Sequence, residues 1–304
     1  MKVTDTNSDN TELNGIIVKG IGGFYYVKTA CGVFECRARG ILRKRGLTPM
    51  VGDNVIITAV KDSFSTVDEI KPRKSCLIRP PIANLERLML VISSCEPEPN
   101  RLIIDRMIAY AENGSIEPVL VFTKQDLTTC GPLAEEYSSA GFKVFYADYT
   151  KPEGLVPIIE EMSTGISALA GNSGVGKSTF LNAVMPSLDL ETAAISKKLG
   201  RGKHTTRQAE LFTLPQGGMV ADTPGFSSID IEKLNTIYKE DLPYAFREFE
   251  EYMGQCKFVS CSHTVEKSCA VLAAVQAGKI SKKRHDSYCT MYKEVKDLQQ
   301  WEKK

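Results

Sequence analysis

The sequence predicts an α/β fold in three parts: a small N-terminal β-barrel of OB type, a central doubly wound domain, and a short C-terminal helical unit. Three observations carry this. Short β-branched and aromatic runs separated by Gly, Asp and Asn turns fill about the first 70 residues. Apolar runs alternating with helical periodicity fill the middle, and after about Ser227 strand signals give way to helices around clustered Cys and His. The boundaries fall at residues 1–72, 73–229 and 230–304.

The barrel is read from five runs, GIIVKG, GFYYVKT, GVFECRARG, DNVIITAV and TVDEI. Five short strands in this length suit an OB-like barrel. The stretch KPRKSCLIRPP, residues 71–81, is basic and Pro-rich and reads as a linker. From Asn84 onward LERLMLVISS, PVLVFTK, KVFYAD, GISALAG and GGMVADTPG each read as a strand buried on both faces, with helical spacing between several of them. DLPYAFREFEEYM, VLAAVQAG and YCTMYKEVKDLQQWEKK read as short helices.

Composition narrows the class. With 304 residues, 42% hydrophobic and 25% charged, the chain is globular and not disordered. No run approaches the roughly 20 apolar residues that cross a bilayer, and MKVTDTNSDNTELNG has no signal-peptide character, so no membrane role and a cytoplasmic address are expected. Lys+Arg (38) nearly balance Asp+Glu (37), so attraction to nucleic acid has to come from local clusters. Nine cysteines, an odd number, argue against a disulfide scaffold and for metal binding or burial.

Three motifs carry nucleotide chemistry. Gly171, Asn172, Ser173, Gly174, Val175, Gly176, Lys177, Ser178 and Thr179 follow the apolar run Ile166–Ala170 and fit G-x-x-x-x-G-K-[ST]. The glycines let successive N–H groups turn inward on phosphate oxygens; Lys177 reaches the terminal phosphates and the Ser178 hydroxyl suits Mg²⁺. Asp222 and Gly225 form D-x-x-G after a second apolar run; there a carboxylate reaches Mg²⁺ through water and an amide reaches a γ-phosphate. Thr123, Lys124, Gln125 and Asp126 follow a third run. The two acceptor oxygens of Asp126 match guanine's paired N–H donors, not adenine's pattern, and the Lys124 stem can lie across the base. Guanine is therefore favoured. In a Ras-like protein the base-reading motif comes last, whereas here Asp126 precedes Lys177 by 51 positions. The central domain is thus a circularly permuted P-loop GTPase domain. Rotation is tolerable because the ligand is held by loops at one edge of a parallel sheet.

Cys256, Cys261, His263 and Cys269 offer three thiolates and an imidazole within fourteen residues, a set suited to one closed, structural Zn²⁺ site, with Cys289 too distant to be a first choice. Arg37 to Arg45 carries five basic residues and no acid, Lys71, Arg73 and Lys74 add to it, and KISKKR (279–284) forms another cluster. Beside Phe24, Tyr25 and Tyr26 the first of these makes an RNA platform on the barrel.

The rotated order TKQD, GNSGVGKST, GRGKHTT, DTPGF, together with RGILRKRGLTPMVGDNV and the tail C-x4-C-x-H-x5-C, closely resembles the circularly permuted GTPases of the RsgA (YjeQ) family. The resemblance covers nearly the whole chain. It implies an OB-fold, a permuted GTPase domain and a zinc-binding helical domain. It also implies GTP hydrolysis to GDP and phosphate stimulated by the small ribosomal subunit, contact with its rRNA, and a role in late subunit maturation. Two positions depart from the usual motifs: Thr123 stands where Asn is commoner, and Ala147-Asp148 where a Ser-Ala pair would fall. A monomer is expected.

Ras-like proteins place a water-orienting Gln after D-x-x-G; here that position is Phe226, so the catalytic group must come from elsewhere. The internal candidate is His204, in the Gly-flanked segment 200–206. Thr205 or Thr206 would supply the switch hydroxyl to Mg²⁺. Two other readings use the same motifs: an ATP-consuming P-loop enzyme, and a zinc- and RNA-binding scaffold that binds GTP without turnover.

Overall fold

The structure, a computed structural model, describes residues 11–60, 63–77, 81–186, 209–222 and 237–298. His204, Thr205, Thr206 and Gly225 lie outside the described residues.

The barrel forms where period-two alternation places its apolar residues inside. Strands β1 (Thr11–Ile21), β2 (Phe24–Thr29), β3 (Gly32–Ala38), β4 (Asn54–Ala59) and β5 (Ser65–Ile70) close in the order β1-β2-β3-β5-β4-β1. Ile17, Val27, Cys36, Val55, Ile57 and Val67 fill the interior at 0% exposure. Burial there pushes the Cys36 thiol up to about 12. The β1–β2 turn is Gly22-Gly23, both at positive φ. The segment RGILRKR is not simply a basic loop: helix α1 (Gly40–Lys44) buries Leu42 and leaves Arg43, Lys44 and Arg45 exposed.

The segment read as a linker is tied down. Arg73 forks onto buried Asp53, Nε to Oδ1 at 2.7 Å and Nη2 to Oδ2 at 2.8 Å, and β6 (Cys76–Leu77) pairs with β7 (Ile82–Ala83). Asn84 bridges the units, accepting from Lys74 N at 2.9 Å and donating to Gly52 O at 2.9 Å. At Gly52 a Cβ would lie 2.0 Å from Ala83 O, so only glycine lets the two segments meet.

The central domain comprises β8 (Leu85–Ser93), α2 (Arg101–Asn113), β9 (Glu117–Thr123), α3 (Gly131–Ser139), β10 (Lys143–Tyr146), α4 (Val156–Met162), β11 (Ile166–Ala170), α5 (Lys177–Val184), β12 (Glu210–Thr213) and β13 (Met219–Asp222). Strand order is β10-β9-β8-β11-β13-β12, parallel except for antiparallel β12. Alternate residues serve opposite faces. Leu88, Leu90, Ile92, Leu120 and Phe122 share a core with Ile104, Ile108 and Tyr137 of α2 and α3; Met89, Val91, Val119 and Val121 share one with Met162, Phe180 and Val184 of α4 and α5. The run KVFYAD is a correction: among the described residues β10 has one neighbouring strand, so it is a half-exposed edge and not a strand buried on both faces.

Among the described residues the C-terminal unit has two 3₁₀ turns, Leu242–Ala245 and Arg247–Tyr252, then α6 (Ala270–Gln276) and α7 (Lys282–Val295). Phe246, Phe249, Val271 and Tyr288 form its core, which continues onto Ala109 of α2. An ion cluster fastens it there. Arg284, 1% exposed, donates Nη1 to Asp105 Oδ1 at 2.6 Å and Nε to Glu248 Oε1 at 2.5 Å, and the Tyr137 hydroxyl donates to the same Asp105 oxygen at 3.0 Å. Desolvation raises the Asp105 pKa even so.

Candidate functional site

The chain turns back on itself between β8 and β11. From β8 it proceeds through β9 to β10 on one side; from β11 it reaches β13 on the other. Crevices at such reversals, outside the carboxyl ends of the strands, are where doubly wound sheets bind ligands. The phosphate loop leaves β11 there, and the base-reading motif leaves β9 two strand spacings away, about 10 Å.

The loop's shape follows from its glycines. Gly171, Gly174 and Gly176 have φ of 145°, 81° and 95°, and a Cβ on Gly171 would lie 2.3 Å from Val91 O. Gly176 caps α5 with no side-chain hydrogen bond, leaving first-turn N–H groups directed outward as an anion site requires. Val175 is buried and pins the loop, while Ser173, Gly174 and Thr179 are exposed. Lys177 Nζ donates to Gly171 O at 2.7 Å and Asn172 O at 2.8 Å, and burial holds its pKa below the usual lysine value. The ammonium thus lies inside the ring of the loop.

Thr123 joins the two motifs. Its hydroxyl, 0% exposed, lies 2.7 Å from Val175 O and 3.3 Å from Ile92 O, so the first residue of TKQD grips the phosphate loop directly. The departure from Asn therefore keeps a brace, made by a shorter side chain. Lys124 takes φ 58° and its ammonium donates to Glu96 O; the Gln125 amide donates to Ser94 Oγ, and Asp126 is exposed. The bracing segment 93–96 carries no motif, and it holds residues 123–130 mostly through its backbone, at Ser94 N, Ser94 O and Glu96 O, so sequence reasoning missed it. On β10's far end Ala147 is buried, and the Asp148 carboxylate accepts from Thr150 N at 2.9 Å and Thr150 Oγ1 at 2.6 Å, which lowers its pKa. Asp222 ends β13, beside β11.

Cys256, Cys261, His263 and Cys269 bring their ligand atoms within 4.8 Å of one another, a group that can hold a metal ion. Cys256 Sγ stands 3.8 Å from Cys269 Sγ, and His263 Nδ1 is 3.5 and 3.4 Å from these two sulfurs. A tetrahedral ion with metal–sulfur and metal–nitrogen bonds of about 2.3 and 2.05 Å gives edges of about 3.8 and 3.6 Å, so the donor set fits zinc. Two backbone amides are directed at ligand sulfurs: Ala270 N donates to Cys256 Sγ at 3.3 Å and Leu272 N to Cys269 Sγ at 3.4 Å. Glu266, whose pKa falls to about 2, stays ionised, because it accepts from the backbone of Ser262, Thr264 and Val265 and so ties the ligand loop. Cys289 lies instead against the His285 ring, at 3.7 Å from Nε2.

The basic clusters divide. Arg37 lies 4.6 Å from the ring centroids of both Phe24 and Phe64, an exposed guanidinium between two aromatics. Arg43, Lys44 and Arg45 are also exposed, at the end of α1; sequence reasoning did not single out Phe64. Arg73 and Arg284 are corrections to the RNA reading, since buried carboxylates hold both. Lys282 and Asp286 pair on the α7 surface at 3.0 Å.

Two family models match the chain, RsgA GTPase over residues 70–232 and RsgA N-terminal domain over residues 14–67. A small ribosomal subunit biogenesis GTPase RsgA of Halalkalibacterium halodurans is 44% identical over 93% of this chain and 97% of its own; one from Geobacillus thermodenitrificans is 41% identical over the same shares. Among solved structures, YjeQ from Thermotoga maritima has a TM-score of 0.82 at 31% identity, covering 95% of this chain and 100% of its own. YloQ, described as a circularly permuted GTPase, has a TM-score of 0.79 at 34% identity, covering 98% and 99%.

Proposed function

The chain belongs to the RsgA GTPase family and is a GTP hydrolase, and from that premise we propose that it acts on the small ribosomal subunit in late maturation, with turnover stimulated by that subunit. The observation that carries the reading is the contact of Thr123 with Val175: motifs 52 residues apart and in rotated order meet at one crevice. Family membership sets aside the ATP-consuming enzyme and the non-hydrolysing scaffold.

In this reading Asp126 accepts from the guanine edge and Lys124 covers the base, with Gln125 and Thr123 holding that loop. The amides of 171–176 cradle the phosphates, joined by Gly225, and Lys177 neutralises charge that develops on the transferred phosphoryl group. Ser178 would ligate the Mg²⁺ that accompanies GTP and Asp222 would reach it through water, Thr179 belongs with the phosphate loop, Thr205 or Thr206 would add the switch hydroxyl, and His204 would orient water in place of the missing Gln. Bound Mg²⁺ supplies electrostatic stabilisation of the phosphate oxygens. The metal of the C-terminal unit is zinc, structural because four protein donors leave no open position.

Residues 1–72 form the rRNA-binding barrel, 73–229 the GTPase domain and 230–304 the zinc unit, in a monomeric cytoplasmic protein. No helix among the described residues is long and apolar enough to cross a membrane. The test is phosphate release from GTP with and without purified small subunits. Slow release alone and faster release with subunits is expected; equal rates refute stimulation, and a rate indistinguishable from buffer in both refutes turnover.

A further inference from the structure

Strand β1 serves two sheets. Residues Thr11–Ile16 pair with β4 inside the barrel, and after a register shift between Ile17 and Lys19 the strand meets the central sheet, Lys19 opposite Glu210. Irregularities of this kind re-aim a strand and its side chains. Lys19 Nζ lies 3.0 Å from Glu210 Oε1 and 2.9 Å from Oε2, and on β2 Lys28 Nζ lies 2.6 Å from Thr213 Oγ1. Glu210 is in turn the register partner of Asp222. Positions 19, 210 and 222 therefore form one row that runs from the barrel, across the edge strand, to the strand that ends in D-x-x-G.

The charges give the row a direction. The Glu210 carboxylate is partly buried on the edge strand, at 31% side-chain exposure, and is costly there unless something neutralises it. Lys19 does so with both carboxylate oxygens, at side-chain exposures of 34% and 31%, which leaves the pair less screened than one in open solvent. The neutralising charge comes from the barrel, not from the GTPase domain.

We propose that Lys19 is a positioning residue for GTP hydrolysis: through Glu210 it keeps the strand bearing Asp222 in register, and so couples docking of the barrel on the subunit to turnover. This rests on the subunit-stimulated reading above. The test is subunit-stimulated phosphate release by the full chain, resolved into kcat and the subunit concentration at half-maximal rate. Lys19→Met leaves Glu210 uncompensated; the stimulated kcat should fall about tenfold, within the usual range of coupling between sites, while the half-maximal subunit concentration and GDP affinity stay within about twofold. Lys19→Arg should retain stimulation. In Lys19→Met/Glu210→Gln the unpaired carboxylate is gone along with the cation, and stimulation should return to within about threefold of wild type.

An undiminished stimulated kcat in Lys19→Met overturns the proposal. So does a loss confined to the half-maximal subunit concentration that the Glu210→Gln change does not rescue, because Lys19 would then be a direct rRNA contact. If Lys19→Met does not fold, a folded double variant that is not stimulated overturns it equally. Absence of stimulation in the wild type refutes the functional reading itself and this proposal with it, an outcome distinct from either.

Discussion

Replacing Thr123 with valine removes one hydroxyl from a site with no solvent exposure while nearly preserving shape. The hydroxyl has a single proton and two carbonyls in reach, Val175 O at 2.7 Å and Ile92 O at 3.3 Å, so the shorter contact takes it. Losing a buried hydrogen bond and leaving its acceptor unsatisfied costs about 1–3 kcal/mol, since water cannot enter to replace the donor. If the bound state needs both loops joined, that cost appears in nucleotide affinity as about 5- to 150-fold weaker GDP and GTP binding. Titration with a fluorescent guanine nucleotide measures it, with Thr123→Ser, which keeps the donor, expected to stay near wild type. Affinity within about twofold of wild type in Thr123→Val would refute the coupling of the two loops. A lower melting temperature with unchanged affinity would make the contact structural only.

Asp126→Asn places an amide donor where guanine presents its own, so GTP should weaken and xanthine nucleotide gain in a competition assay; ATP outcompeting GTP on the wild type would reverse the base assignment. His204→Ala should lower subunit-stimulated hydrolysis at least roughly tenfold with GTP binding nearly unchanged, by single-turnover phosphate release. Arg284→Met strands the Asp105 and Glu248 carboxylates and should cost about 3–5 kcal/mol in denaturant unfolding. That deficit should shrink as pH falls towards the carboxylate range: burial already raises the Asp105 pKa, and without its cation the group takes up a proton more readily, removing the buried charge. Chelation of the metal should unfold the C-terminal helices, followed by far-UV circular dichroism, while guanine nucleotide binding persists. Burial pushes the free Cys261 thiol up to about 12, so metal rebinding should release protons and weaken as pH falls.

Local pattern carried much of the reading. Val55, Ile57 and Val67 alternate with outward residues, and the glycines of 171–176 stand at the spacing a phosphate loop requires, so both are visible in any short window of the chain. The four residues that can hold a metal ion fall within fourteen positions, and their proximity needs no distant partner. KVFYAD misled because an apolar run does not say how many neighbours a strand will have, and β10 turned out to be an edge.

By itself the sequence determined the kinds of element, the rotated order of the motifs and the Cys and His group that can hold a metal ion, because each depends on residues near one another in the chain. The tertiary structure alone decided which of the described basic residues buried carboxylates hold. Arg73 and Arg284 look like Arg43 and Arg45 in composition, yet Asp53 lies 20 residues from Arg73 and Asp105 lies 179 from Arg284. It also decided that Thr123 holds Val175 and that β1 joins the barrel to the edge of the central sheet at Glu210. The reason is physical: a charge or hydroxyl is claimed by whatever packs opposite it after the chain has folded, and no local pattern encodes that neighbour.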